Sequence, residues 1–361
     1  MHLRIYLDHA ATTPIRPEAA AAVAEGMGKW ANPSSPHAEG RAARAALEDA
    51  RARAAASLGW PHELIFTSGA SESAAMALAR AKGGARLVSA VEHDSVLQAL
   101  PDAEILPVRP DGALDLDVLE EAVDGRERPV VAVQAINSET GNGQDLDAIA
   151  RIVHSADGLL LVDAAQSAGK FALPAGADMV ILSAHKFGGP PGVGALLVKD
   201  FAMLAPSSGQ ERGYRRGTEN LPGALGLAAA LEACSAPYLD PAVLEPIIER
   251  LAPAIARLGG MRLADRLAAP TPYIEAIAMP DMSGSAQLMR FDMAGFAVSQ
   301  GSACSSGSLK RSHVLQAMGL DDELAGRIIR VSFGWSTTRE EVERFCDSWI
   351  ALAEGSGARA A

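Results

Sequence analysis

Between about residue 40 and residue 200, short apolar runs alternate with amphipathic segments of helical period, and few folds accept that rhythm. The helix-like GRAARAALEDARARAAASLG is followed by the run ELIFT, the helix-like ESAAMALARA and the run RLVSAV. Further on come PVVAVQAI, LDAIARIVHSA, LLLV, MVILS and GALLV. Short, continuously apolar runs belong in a sheet buried on both faces, and their alternation with helices predicts βαβ units and a mostly parallel sheet. In such a sheet ligands bind where the strands' carboxyl ends meet the following loops. Polar clusters fall at those positions: Thr67 to Glu72, Glu92 to Asp94, Asn137 to Gly141, Asp163 to Gln166 and Ser183 to Lys186.

Past the helical PGALGLAAALEAC, the prolines and turn residues of CSAPYLDP predict a domain boundary. A long amphipathic helix, VLEPIIERLAPAIARLG, then leads to the strand-like runs PYIEAIAM and IIRVSF. The expected division is a large domain over 12–235 and a smaller α/β domain made of 1–11 plus 236–361, and 361 residues suffice for both.

A formal charge of −12 repels DNA and anionic membrane surfaces over most of the molecule, so neither is expected as a partner. No apolar run approaches the roughly 18 residues that span a bilayer. The start MHLRIYLDHAATTP has neither a long apolar stretch nor a cleavage-like end, so a cytoplasmic protein is expected. Three widely spaced cysteines form neither a metal-ligand pattern nor a disulfide framework. Cys234 and Cys346 sit in helical patterns, where a buried thiol acts as a small apolar side chain. Cys304, in SQGSACSSGS, is surrounded by Gly and Ser that pack poorly and leave a thiol accessible.

The strand-end residues carry specific chemistry. Lys186, in ILSAHKFGG, and Asp163, in LLLVDAAQSAGK, can serve the two ends of pyridoxal phosphate: an amine bonds its aldehyde and a carboxylate keeps its ring nitrogen protonated. FTSGASES supplies a strand, a glycine turn and hydroxyls opening a helix, which suits a phosphate and equally an ordinary helix cap. His93 in EHDSV can stack on a planar cofactor, shuttle protons or simply hydrogen-bond locally, and Asn137 in INSETGNG is also a common turn-former. Arg212, Arg215 and Arg216 in SSGQERGYRRGTEN form either a solvated face or, with Gly217 and Thr218, an anion site. Arg330, at the centre of IIRVSFG, needs a partner; a substrate carboxylate and a structural ion pair both meet that need.

Read in order, YLDHAATTP, NPSSPHAEGRAA, FTSGASES, VEHDSV, NSETGNGQ, VDAAQSAGK, SAHKFGGPPGVGALLV, GQERGYRRGTEN, GSACSSGS and IRVSFGWSTTREEV resemble the cysteine desulfurases. These are pyridoxal-phosphate enzymes of the class V aminotransferase family, and the long Ser/Gly stretch after GSAC is similar to the NifS/IscS-like group. The resemblance implies a fold-type I transferase that converts L-cysteine to L-alanine and leaves a persulfide on Cys304. It implies Lys186 as the Schiff-base lysine, Asp163 at the ring nitrogen, Gln166 near the phenolic oxygen and His93 on the ring face. Ala70, Ser71, Ser183 and His185 would hold the phosphate, with Thr218 reaching in from the second subunit of a homodimer. Asn137 and Arg330 would grip the substrate carboxylate, and an iron–sulfur scaffold or another sulfur acceptor would receive the sulfur. The chain departs from the group at Ala74 and Ala75, at Ser138, in the PSSG lead into GQERG, and in a short segment after its last helix. A selenocysteine lyase or another class V transaminase or lyase is the alternative, and a non-catalytic cofactor-bearing interaction protein a second one.

Overall fold

The computed structural model describes residues 4–301 and 311–357. In chain order the strands are β1 (Ile5–Tyr6), β2 (Glu63–Thr67), β3 (Arg86–Ser89), β4 (Glu104–Leu106), β5 (Val130–Gln134) and β6 (Leu159–Asp163). They continue with β7 (Met179–Ser183), β8 (Gly194–Val198), β9 (Met261–Arg262), β10 (Ile274–Ala278), β11 (Phe296–Ala297) and β12 (Ile328–Ser332). Seven of them form one sheet in the order β2-β8-β7-β6-β5-β3-β4, and β8 alone runs antiparallel to its neighbours. The architecture is therefore the expected α/β one, with a mostly parallel large sheet.

Every position of β5 to β8 except those of the helices between them is buried, because both faces are covered. Val131, Val133, Leu160 and Val162 point into one apolar cluster with the helices Pro17–Gly28, Ala38–Ser57 and Leu221–Glu232. Their alternates Val130, Ala132, Leu159 and Leu161 point into another, under the helix Ala70–Arg80. Each fully buried Val or Leu contributes about 1.5–3 kcal/mol, so this two-sided pattern dominates the stability of the sheet.

The remaining strands build a smaller unit. β12, β10 and β9 form an antiparallel sheet, and β1 pairs in parallel with β11. A separate apolar cluster joins Ile5 and Leu7 to Ile277, Phe291, Ile329, Val331, Phe345, Cys346 and Trp349. The expected long helix after Asp240 is present over 245–257 but is not α-helical throughout, its stretch Ile247–Leu251 being a π-helical turn that leads directly into Ala252–Arg257. Pro253 lacks an N–H and crowds the carbonyl four residues back, so the ladder widens and Ala252 N donates to Ile247 O. No helix of the described residues is long and apolar enough to cross a membrane.

The segment after β1 links the two units. His9 is buried, with Nδ1 2.6 Å from Thr13 Oγ1 and Nε2 3.3 Å from Thr337 Oγ1. Burial, reinforced by the nearby Lys170 charge, lowers its pKa to about 4. A group that resists protonation only when folded stabilises the protein fully above its unfolded pKa of about 6.5, and that stability is lost as pH falls towards 4. Thermal unfolding should therefore show wild type losing more stability than His9→Gln between pH 7 and pH 4.5, by up to about 3 kcal/mol. Parallel loss in the two proteins would remove His9 from the account.

Candidate active site

A cavity of about 360 Å³ lies at the carboxyl ends of β2, β3, β5, β6 and β7. After β2 the chain turns through Gly69, whose φ of +152° is a region that side-chain-bearing residues avoid, and enters the helix Ala70–Arg80. The turn also packs tightly on β8, where a Cβ at Gly194 would lie only 2.7 Å from Gly69 Cα. No side chain of the N-cap residue caps this helix, so the turn at Ala70 and Ser71 faces the cavity with backbone N–H groups that have no cap. Glu72 braces the turn by accepting from the Ser68 amide at 2.5 Å and from Arg215 Nε at 2.8 Å.

Asp163 ends β6, and its Oδ1 accepts from the Ala165 amide at 2.8 Å. Ser183 ends β7, and a single 3-10 turn, Ala184–Lys186, swings Lys186 into the same space. Lys186 Nζ donates to the Ala10 carbonyl, which also accepts from Gln166 Nε2 at 2.8 Å. Gln166 Oε1 is buried with no hydrogen-bond partner among the described residues. His93 Nδ1 accepts from the Ser95 amide at 3.1 Å, which assigns the ring proton to Nε2. His185 Nδ1 lies 3.1 Å from Thr12 Oγ1.

Burial sets the electrostatics. It raises the Asp163 carboxyl, against the pull of the Ala165 amide, His93 and Lys186. It lowers His93 despite the Asp163 charge beside it, and takes His185 to about 4 with Lys186 adding to the effect. Glu92, wholly buried behind this group, is pushed well above the carboxylate range by desolvation and by Asp163. A fixed cationic centre beside Asp163 would offset that desolvation, which suits a carboxylate placed to hold a protonated ring nitrogen.

Arg330 lines the cavity from the centre of β12, 2% exposed. Its Nη2 donates to Asp8 Oδ1 at 2.7 Å and its Nη1 to the Ser138 carbonyl at 2.8 Å. The structural ion pair of the sequence reading thus exists, and its partner is Asp8. Asn137, expected to share the carboxylate grip, holds the adjacent turn together. Its Oδ1 accepts from the Glu139 and Thr140 amides, both at 2.9 Å, and its Nδ2 donates to Val91 O at 3.0 Å. Its amide closes the turn that presents Ser138 to Arg330; Ser138 lines the cavity instead.

Thr218 is exposed and does not line the cavity in this chain. Cys304 lies outside the described residues. Two of the three arginines are spent on ion pairs, Arg212 with Glu63 and Glu48 and Arg215 with Glu72, while Arg216 Nε donates to Ser207 O at 3.2 Å. Beneath it Glu211 is buried against Arg51, at 2.7 Å, and the Phe66 amide, at 2.9 Å. Sequence reasoning missed Asp8 and the Ala10 carbonyl, and placed Glu92 at a strand end without giving it a role. Asp8 stands in YLDHAATTP, where an acid following an apolar pair was the available signal.

The residues present fit pyridoxal phosphate. An amine and a carboxylate stand at the ends of adjacent strands, an uncapped helix start with Ser183 nearby suits a phosphate, and the partnerless Gln166 Oε1 awaits a polar group. Among the described residues no group of His, Cys, Asp and Glu could hold a metal ion.

Comparison with known proteins agrees. The Aminotransferase class-V family matches residues 5–345. A cysteine desulfurase of Cereibacter sphaeroides is 35% identical over 367 residues, covering 95% of this chain and 94% of that protein. The X-ray structure of a NifS-like protein from Rickettsia africae superposes with a TM-score of 0.86 at 28% identity, over 97% of this chain and 99% of that one. A structure of SspA in complex with cysteine has a TM-score of 0.77 at 29% identity, over 91% and 99% of the two chains. The fold is thus that of the fold-type I pyridoxal-phosphate enzymes, as the sequence motifs imply.

Proposed function

The chain belongs to the class V aminotransferase family of pyridoxal-phosphate enzymes, and on that premise we propose that it is a cysteine desulfurase converting L-cysteine to L-alanine with transfer of sulfur to Cys304. The observation that carries the reading is the convergence of Lys186, Asp163 and Arg330 on one cavity. When bound, the cofactor supplies an aldehyde that bonds an amine and a ring that accepts an electron pair from the adjacent carbon. Lys186 would hold the aldehyde carbon, Asp163 the ring nitrogen, Gln166 the phenolic oxygen and His93 the ring face. The turn at Ala70 and Ser71, with Ser183 and His185, would hold the phosphate.

Arg330 orients the substrate through its carboxylate, and Asn137 supports it indirectly by shaping the Ser138 turn. The Lys186 amine, placed in the cavity beside the substrate, would take the proton from the substrate's α-carbon. Cys304, as a thiolate, bonds the substrate's sulfur; the carbon–sulfur bond breaks and the carbon skeleton leaves as L-alanine. Cysteine plus thiol giving alanine plus persulfide balances in atoms and electrons without an outside oxidant. The persulfide then passes to an acceptor protein, an iron–sulfur scaffold being one kind.

The same reading makes the enzyme a cytoplasmic homodimer, with Thr218 of one subunit completing the phosphate site of the other. Its domains are 12–235 and 1–11 plus 236–361, a division supported by apolar clusters that separate near Pro237.

Incubation of the cofactor-loaded protein with L-cysteine should release L-alanine in step with persulfide. Arg330→Ala should weaken L-cysteine binding by about 2–5 kcal/mol, the scale for breaking a desolvated charge pair, with the cofactor retained. Activity confined to selenocysteine would replace this function with a lyase, and unaltered cysteine affinity in the variant would leave Arg330 a purely structural partner of Asp8.

A further inference from the structure

A guanidinium at the centre of a buried strand needs a counter-charge at all times, whether or not a ligand is present. Arg330 lies between Ile329 and Val331, both wholly buried, and an uncompensated charge there is strongly disfavoured. Asp8 supplies the compensation, but it is held differently from Arg330. Its side chain is 19% exposed against 3% for that of Arg330, and a single oxygen makes the contact. The backbone of Asp8 is fixed independently, bridged to Ser332 and with its carbonyl accepting from Tyr6 Oη at 3.1 Å. The carboxylate can therefore swing away without moving the segment that carries it. Arg330 Nε, meanwhile, is buried and has no partner among the described residues. The guanidinium thus has donor capacity that Asp8 does not use.

We propose that Asp8 is the resting counter-ion of Arg330 and a specificity-determining residue, its carboxylate keeping the place that the carboxylate of an amino-acid substrate takes. A ligand carboxylate that engages two N–H groups of Arg330 outcompetes a one-oxygen contact, because bidentate pairing is the stronger geometry. An amine without a carboxylate meets a site that is already neutral and gains nothing from Arg330. The pair therefore selects α-amino acids over simple amines and keeps the guanidinium compensated between turnovers. The inference rests on the proposed function only in placing an amino-acid carboxylate at Arg330.

The test compares cofactor-loaded wild type, Asp8→Asn and Asp8→Ser by calorimetry with L-alanine and with ethylamine, which differ by one carboxylate, and by thermal unfolding. Removing the competing charge should tighten L-alanine binding about tenfold, on the scale of one unit charge some ten ångströms away at an effective dielectric of about 20. Ethylamine binding should not change, and the unliganded variants should unfold at lower temperature because Arg330 has lost its counter-ion. Tighter alanine binding together with lower stability supports the proposal, and Asp8→Ser decides it should Asp8→Asn not fold. Unchanged or weaker alanine binding overturns it, the latter making Asp8 a strut that aims Arg330. Because these readouts are binding and unfolding, a protein that shows the signature yet releases no sulfur from cysteine would overturn the desulfurase reading and leave this inference standing.

Discussion

Lys186→Ala is expected to abolish turnover of L-cysteine and the covalent attachment of pyridoxal phosphate together. Lys186 is the amine that the turn Ala184–Lys186 delivers into the cavity, and loss of its proton transfer alone should cost about 10²–10⁴-fold in kcat. Borohydride treatment of wild type should fix the cofactor to Lys186, and the same treatment of the variant should fix none. The fold should survive, because the Ala10 carbonyl that Lys186 touches keeps its bond from Gln166. Cofactor fixed to another lysine, with activity kept, would sink the central assignment.

The second large effect concerns Cys304. Cys304→Ser should retain cofactor and still bind cysteine but accumulate no protein-bound persulfide. The other two thiols are poor candidates for the sulfur-carrying thiolate on physical grounds. Cys346 is fully buried among the aromatics of the smaller unit and is pushed up to about 12 by desolvation. Cys234 is raised too, chiefly by burial, and its Sγ donates to Ala230 O at 3.3 Å. Cys234→Ser and Cys346→Ser should therefore still form persulfide, apart from whatever stability their packing costs. Mass spectrometry of cysteine-treated protein decides: added sulfur on Cys234 or Cys346, or normal alanine release without Cys304, would overturn the sulfur-transfer step.

The large sheet was legible because ELIFT, LLLV, MVILS and GALLV are apolar without interruption, which only a doubly covered strand requires. β4 was not: two of its three residues, Glu104 and Ile105, are exposed, and at such an edge no pattern survives. The helix after Asp240 was read as uniform because its apolar period runs across Pro253, where the backbone had to open. In the site, residues that act at strand ends could be read from their local pattern, and Lys186, Asp163, Ser183 and Gln166 lie together as expected. Asn137 could be read as a turn-former as well as a carboxylate ligand, because the same amide suits both, and the structure shows the turn it closes. Asp8 was invisible as a partner because nothing local to it marks the strand on which Arg330 arrives.

That separation has a consequence for how the enzyme comes into being. Arg330 and Asp8 are 322 residues apart, and the Ala10 amide is likewise tied to Ser332 Oγ across 322 residues. During synthesis the segment around Asp8 leaves the ribosome long before β12 does. A nascent chain that has already closed its large sheet, with β8 complete at Val198, still lacks Arg330, the counter-charge of Asp8. Loop closure over such a distance is entropically slow compared with the local βαβ steps before it. The Asp8–Arg330 pair is thus a late event in biogenesis: the strand ends that line the cavity can be shaped before it, and the pair closes only when two distant segments of the chain have met.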